Sequence, residues 1–267
     1  GNPLFVGELV RRAVRAGRID SGIEHFADIL FDRVDQFSEP TRTMLEVVAV
    51  AGQPVERTIV KEAAGVGSRE LAGFSRLQSH RLVRSMGSER VATYHDRIRE
   101  SLVEKLSDRR LQRLHLRLAT AWESVRDSDP ETIAEHFARG GQEMRAAEYM
   151  LQAAERADEA LAFERAIQLF DRALDLGEWA RQRRYRMMRR IAELYAALGR
   201  GPQAAEAFLK SAELATGLEA SDCRIQGCEQ MLRAGQFERG VDLLYAELRR
   251  LGFEPAESRS QMLLSII

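Results

Sequence analysis

The chain has 267 residues, of which 40 are lysine or arginine and 41 are aspartate or glutamate, so its formal net charge is −1 at pH 7. This balance disfavours a dedicated nucleic-acid or anionic-lipid binder, because no global field would draw either partner. The length exceeds that of a usual domain and predicts two domains, or one domain plus a repeat array. Cys223 and Cys228 lie five positions apart in one helical stretch. That spacing suits neither a disulfide nor a metal knuckle and indicates a reducing, cytoplasmic setting.

The sequence contains no apolar run as long as a membrane span and does not open with a signal peptide. We therefore expect no membrane partner. The abrupt start predicts that the chain is a piece of a longer protein.

Helical periodicity dominates the first third of the chain. Asn2 is suited to the N-cap of a helix and Pro3 to its first helical position. A strongly apolar helix is predicted from about Thr41 to Ala51. Two further helices are predicted around Val55 to Ala64 and Ser68 to His80.

The stretch "RLVRSMGSERVATYH" alternates between apolar and polar residues and turns at Gly87-Ser88, which predicts a β-hairpin. Three helices followed by a hairpin are the order of a winged helix, here from about Thr41 to His95. Leu71, Phe74 and Leu77 of the third helix are expected to face its core.

DNA recognition is the usual task of such a module, with its third helix in the major groove. Here Arg69 and Arg76 are accompanied by Glu70, so neutralisation of phosphates would be weak. The pattern favours a module that packs against other domains over one that binds nucleic acid.

From Asp129 onward the helices occur in pairs with a recurring pattern. Ala166, Ala204 and Gly240 form one column of small residues, which recur after 38 and then 36 residues. The same superposition places Phe170, Phe208 and Leu244 in a second column. A small residue and an aromatic residue at these relative places are typical of the second helix of a tetratricopeptide repeat, whose period is about 34 residues. The predicted fold is therefore mainly α, a winged helix with a small β-hairpin followed by an α-solenoid of tetratricopeptide-like repeats that binds a protein partner or inducer.

Other motifs favour ordinary structural roles. The arginine-rich stretch from Trp179 to Arg190 alternates with aromatics, as in some RNA binders, but a helical apolar stripe through Tyr185 and Ile191 favours a solvated helix face. His25, His80, His115 and His136 lack the mutual spacing of a zinc site and are interpreted as surface or packing histidines. The sequence contains no P-loop, kinase catalytic loop or serine elbow, so no catalytic residue is predicted.

Four stretches, taken in order, resemble the later half of bacterial STAND-class signalling ATPases. They are "GNPLFVGELVRR", "ILFDRVDQFSEPTRTMLEVVAVAG", "LVRSMGSERVATYHDRIRESLVEKLSDRRLQRLHLRLA" and "IAEHFARGGQEMRAAEYMLQAAERADEALAFERAIQLFDRAL". In that family a P-loop ATPase core precedes a lid, a winged helix and superhelical repeats. The resemblance implies ATPase lid helices over residues 1–36, a winged-helix domain over 37–128 and repeats over 129–267.

The same resemblance implies two nucleotide contacts. Pro3, in "GNP", matches a proline that packs on the adenine, and His95 matches a histidine that contacts the β-phosphate of ADP. Because the P-loop is missing, ATP or ADP is expected in a parent protein only, bound with the ATPase core of the same polypeptide. The local alternative is that the side chain of His95 caps a backbone group at the strand end.

The closing stretch "MLRAGQFERGVDLLYAELRRLGFEPAESRSQMLLSI" resembles repeat regions of bacterial serine/threonine protein kinases that carry this ATPase module. A regulatory segment of such a kinase is therefore the first hypothesis. Two alternatives stay open: a winged-helix DNA-binding regulator of the LuxR/MalT type, and a free-standing tetratricopeptide adaptor.

Overall fold

A computed structural model describes residues 30–67 and 71–253 of the chain, without the side chain of Leu71. These residues form two compact units. The first ends at Ser128 and also includes Glu135–Gln142, while the second comprises Asp129–Ala134 and the residues from Glu143 onward. Mainly α-helical structure with one small sheet confirms the predicted fold class.

The described part of the first unit contains a winged helix. After helical residues 30–34, its elements are α1 (Glu39–Ala51), β1 (Val55–Glu56), α2 (Arg57–Ala64), α3 (Leu71–Ser79), β2 (Val83–Met86) and β3 (Arg90–Thr93). Helix α1 starts at a proline in its first turn and ends at Gly52, whose φ of 70° favours glycine. Met44, Leu45 and Val47 on this helix are fully buried and form the centre of the unit's core.

The hairpin predicted between Arg81 and Tyr94 is present. Strands β2 and β3 pair antiparallel with Val83 opposite Thr93 and Met86 opposite Arg90. Gly87 has a φ of 70° at the connecting turn.

One strand was missed by the sequence analysis. Val55 and Glu56 were predicted to begin a helix, but they pair with Val91 and Arg90 and make the sheet three-stranded in the order β1-β3-β2. The physical reason is the partner: Val55 is buried beside Val91, and a two-residue strand has no periodicity of its own.

Helix α3 agrees with the prediction over its described part. Phe74 and Leu77 are buried in the core as expected. The side chain of Leu71 and the predicted N-cap Ser68 lie outside the described residues.

Two helices complete the first unit's continuous part: α4 (Asp96–Lys105) and α5 (Asp108–Glu123). Ser107 caps α5 by accepting a hydrogen bond from the Arg110 backbone N–H at 3.3 Å. Helix α6 (Pro130–Arg139) follows, and the division between the two units passes through it.

The second unit continues as an α-solenoid of antiparallel helix pairs: α7 (Glu143–Glu159) with α8 (Phe163–Leu176), α9 (Arg181–Ala197) with α10 (Gly201–Leu214), and α11 (Gly217–Arg233) with α12 (Phe237–Arg250). Within each pair, the two helices are joined by three residues. The column of small residues lies at buried positions in the second helix of each pair. A Cβ added to Gly240 would come within 2.7 Å of the Leu232 side chain, so a small residue is needed where the two helices meet.

Candidate partner-binding groove

A groove of about 330 Å³ opens between the first helices of two successive repeats, α7 and α9. Its floor consists of Leu151, Phe170 and Met187, which are at most 7% exposed. Its walls carry charged side chains, with Glu155 and Asp158 on α7 and Arg183, Arg186 and Arg190 on α9.

The spacing of these residues explains why they share one groove. Positions 151, 155 and 158 on α7 follow an i, i+4, i+7 pattern, and positions 183, 186 and 190 on α9 follow i, i+3, i+7. Each pattern keeps its side chains on one helical face. The two helices therefore present charged faces to each other above apolar residues.

The outer two arginines are held by carboxylates of α7. Arg190 donates from Nε and Nη2 to the two oxygens of Asp158, at 2.6 and 2.8 Å. Arg183 makes a similar two-point contact with Glu148, in which Nη2 lies 2.7 Å from Oε2. These hydrogen bonds raise the pKa of both guanidinium groups, so both stay charged.

Trp179 supports Arg183 from the other side. Its ring centroid lies 4.5 Å from the Arg183 guanidinium carbon, a cation–π arrangement. The indole N–H donates to the Ala173 carbonyl at 2.7 Å, which fixes the ring near the C-terminal end of α8.

Arg186 differs from its two neighbours. Its side chain is exposed, and it makes no hydrogen bond or ion pair with any other residue in the described part of the chain. Glu155, on the opposite wall, is partly desolvated at its carboxyl, which raises its pKa, while the nearby Arg183 lowers it by less. The groove thus offers an apolar floor and one guanidinium with free donors.

The sequence pattern predicted that these arginines form a solvated helix face. The structure differs because Arg183 and Arg190 bind carboxylates 35 and 32 residues earlier in the chain. These separations are close to one repeat length. Acidic residues on one helix matched by arginines one repeat later were therefore the signal that could have revealed the groove.

The two residues predicted to contact nucleotide, Pro3 and His95, are not among the described residues that line the groove. Pro3 lies outside the described residues. His95 is the N-cap residue of α4, with an extended backbone at φ −150° and ψ 145°, and its side chain is exposed. The side chain makes no capping hydrogen bond, although the backbone carbonyl accepts from the Ile98 N–H at 3.0 Å. His95 therefore lies at the strand-to-helix junction with a free ring, and the capping alternative is not observed.

Over residues 30–67 and 71–253, no group of three or more His, Cys, Asp or Glu side chains could hold a metal ion. Within the same residues, every helix is too short or too polar to cross a membrane.

No protein-family model and no curated protein matches the chain. Among solved structures, it is similar to a Signal Transduction ATPase with Numerous Domains (STAND) protein with a tetratricopeptide repeat sensor from Pyrococcus horikoshii, at 13% identity and a TM-score of 0.42. That match covers 85% of this chain, and this chain spans 44% of the length of the other.

Two further structures are similar over their own repeats. The nearly identical TPR-like repeats assigned to a kinesin light chain of Podosopora anserina match 57% of this chain and 90% of theirs, at 12% identity and a TM-score of 0.32. BtubC from P. vanneervenii matches 76% of this chain and 96% of its own, at 16% identity and a TM-score of 0.31. All three TM-scores lie below 0.5.

Proposed function

We propose that this chain is the regulatory and partner-binding segment of a STAND-type signalling ATPase. In this proposal the helical repeats bind a protein partner or inducer through the groove between α7 and α9. The winged helix responds to ADP that is held by the ATPase core of the same polypeptide. The sequence resemblance implies a parent protein in which this ATPase module is fused to a bacterial serine/threonine protein kinase domain.

The groove is the observation that supports partner binding. Arg183 and Arg190 already donate to Glu148 and Asp158, so a ligand carboxylate would have to compete with these bonds. Arg186, between them on the same face, has no such bond to lose. A charge-assisted hydrogen bond to a carboxylate contributes about 1.5–3 kcal/mol, which is enough to select among ligands.

The floor of the groove favours a peptide over a nucleic acid. Leu151, Phe170 and Met187 would pack against an apolar side chain of the partner. A phosphate backbone would leave these apolar side chains without a contact. We therefore expect a segment that combines an acidic residue for Arg186 with an apolar residue for the floor.

Selection from a random 12-residue peptide library displayed on phage tests this proposal. The purified chain should enrich peptides in which an acidic residue lies next to apolar residues. Arg186→Glu should abolish binding of the enriched peptides. Arg184→Glu is the matched control, because Arg184 is also exposed but lies on another face of α9.

Two results would contradict partner binding in the groove. One is that the enriched peptides still bind the Arg186→Glu variant. The other is that the chain binds a single-stranded RNA 20-mer more tightly than any selected peptide. The ATPase part of the proposal has its own test: the reading frame of the parent gene should encode a P-loop before residue 1. Its absence would favour a free-standing adaptor.

A further inference from the structure

The outer face of α5 carries a row of arginines, Arg109, Arg113 and Arg117, at i, i+4 and i+8. All three side chains are exposed, and none makes an ion pair or hydrogen bond with another residue in the described part of the chain. Each four-residue step advances about 6 Å along a helix, so the three stems form one line about 12 Å long. This row lies in the first unit and takes no part in the groove described above.

On the inner face of the same helix, Arg110 is paired with residues of α1. Arg110 donates from Nε to a Glu46 oxygen at 2.9 Å and from Nη2 to the Thr43 hydroxyl at 3.0 Å. On the inner face, then, the cation is matched by a carboxylate of α1. Within residues 30–67 and 71–253, the three arginines of the row have no carboxylate partner, although the Arg117 guanidinium lies close to Gly65. The row is therefore a local positive excess in a chain whose net charge is −1.

A shallow trough of about 270 Å³ runs beside the row. It is lined by Arg109, Gln112, Arg113 and Leu116 of α5 and by Gly140. A Cβ added to Gly140 would lie 3.1 Å from the Leu116 backbone nitrogen, a tight contact, so glycine suits the close approach of this turn to α5. Leu116 is half-buried and supplies an apolar surface between Arg113 and Arg117.

We propose that this surface docks an acidic helical segment of a partner protein. Carboxylates at i, i+4 and i+8 of that segment repeat at the same interval of about 6 Å as the three arginines, and an apolar residue between them would contact Leu116. A nucleic acid would leave this apolar contact unused, and the near-neutral chain lacks the extended positive field that favours nucleic-acid binding.

Fluorescence anisotropy with a defined peptide tests the proposal on the purified chain. The probe is a labelled alanine-rich helix with glutamates at i, i+4 and i+8 and a leucine at i+7. Its comparison peptide has the same composition, with the glutamates spread around the helix. We expect the aligned peptide to bind at least fivefold more tightly at 50 mM salt, and to weaken as salt rises, because exposed ion pairs are screened.

Arg113→Glu should reduce binding of the aligned peptide about tenfold or more. Arg126→Glu makes the same charge change at another exposed residue of the first unit and should alter binding by less than twofold. Equal affinity for the two peptides, insensitivity to Arg113→Glu, or tighter binding of a 20-base-pair DNA duplex would overturn the proposal. Unchanged thermal unfolding of both variants confirms that they are folded.

Discussion

The Nδ1 atoms of His115 and His136 lie 2.7 Å apart, within hydrogen-bonding distance, and both imidazoles are buried. One ring must donate its Nδ1 proton and the other must accept it on an unprotonated Nδ1, so the accepting ring is neutral in this arrangement. The ring of Trp122 covers His136 at 4.7 Å between centroids. The pair joins α5 to the end of α6 within the first unit.

The histidine pair predicts loss of stability in acid. Burial first, and then Arg139, lowers the pKa of His115 to about 4; burial, His115 and Arg139 lower that of His136 to about 3. Because both folded-state values lie below the unfolded value, the unfolded chain binds more protons as the pH falls from about 7 towards 4. The free energy of unfolding of the first unit should therefore fall by about 2–4 kcal/mol between pH 7.5 and pH 5.

Urea denaturation at a series of pH values measures this loss. A double variant, His115→Gln with His136→Gln, should depend less on pH across the same interval. NMR titration of the two imidazoles gives a second measurement that needs no variant. A ring that becomes protonated near pH 6.5 in the folded chain would contradict the prediction.

A second prediction concerns the buried carboxylate of Glu247, which is 2% exposed on α12. Burial alone would raise its pKa, but hydrogen bonds from Arg224 and Ser221 outweigh that effect and lower it. Arg224→Ala would leave a buried charge without its main partner and should destabilise the second unit by about 3 kcal/mol.

Arg233→Ala is the control for Arg224→Ala. Arg233 lies on the same helix and pairs with Glu229 one turn away, but its side chain is 68% exposed. Exposed pairs of this kind contribute about 0.3–0.5 kcal/mol. Similar changes in the urea midpoint for the two variants would show that burial of Glu247 does not increase the stability lost when its arginine partner is removed.

The third prediction tests the repeat packing at Ala204, which is fully buried. Ala204→Trp should destabilise the solenoid by about 1–3 kcal/mol or more, because two helices meet at this position and overpacking forces them apart. Gln203→Trp, at the exposed neighbouring position, should have little effect. Thermal unfolding followed by circular dichroism compares the two, and equal midpoints would count against close packing at the column of small residues.

The fourth prediction concerns His95 in the full-length parent. If its free ring donates to the β-phosphate of ADP, His95→Ala removes one charge-assisted hydrogen bond worth roughly 1.5–3 kcal/mol. ADP affinity should fall on the order of 10- to 100-fold, and output without stimulus should rise. The isolated chain should bind ADP weakly or not at all, since one histidine and one proline offer few contacts. Unchanged ADP affinity in a folded variant would remove this role.

Local patterns determined much of the architecture from the sequence alone. The hairpin around Gly87 and the helix from Thr41 to Ala51 could be predicted because their signals, alternation, periodicity and turn residues, lie within a few neighbouring positions. The columns through Ala166 and Phe170 likewise predicted helix pairs, since repeated packing requires repeated residue sizes.

Tertiary structure alone decided which residues meet. Val55 belongs to a strand because it pairs with Val91. His115 contacts His136, 21 residues away, and Arg190 binds Asp158, 32 residues away. It also left Arg186, Arg113 and His95 without partners in the described chain, which no local pattern reveals. The physical reason is that hydrogen bonding, desolvation and ion pairing depend on distances between side chains, and residues far apart in sequence acquire those distances only when their helices pack.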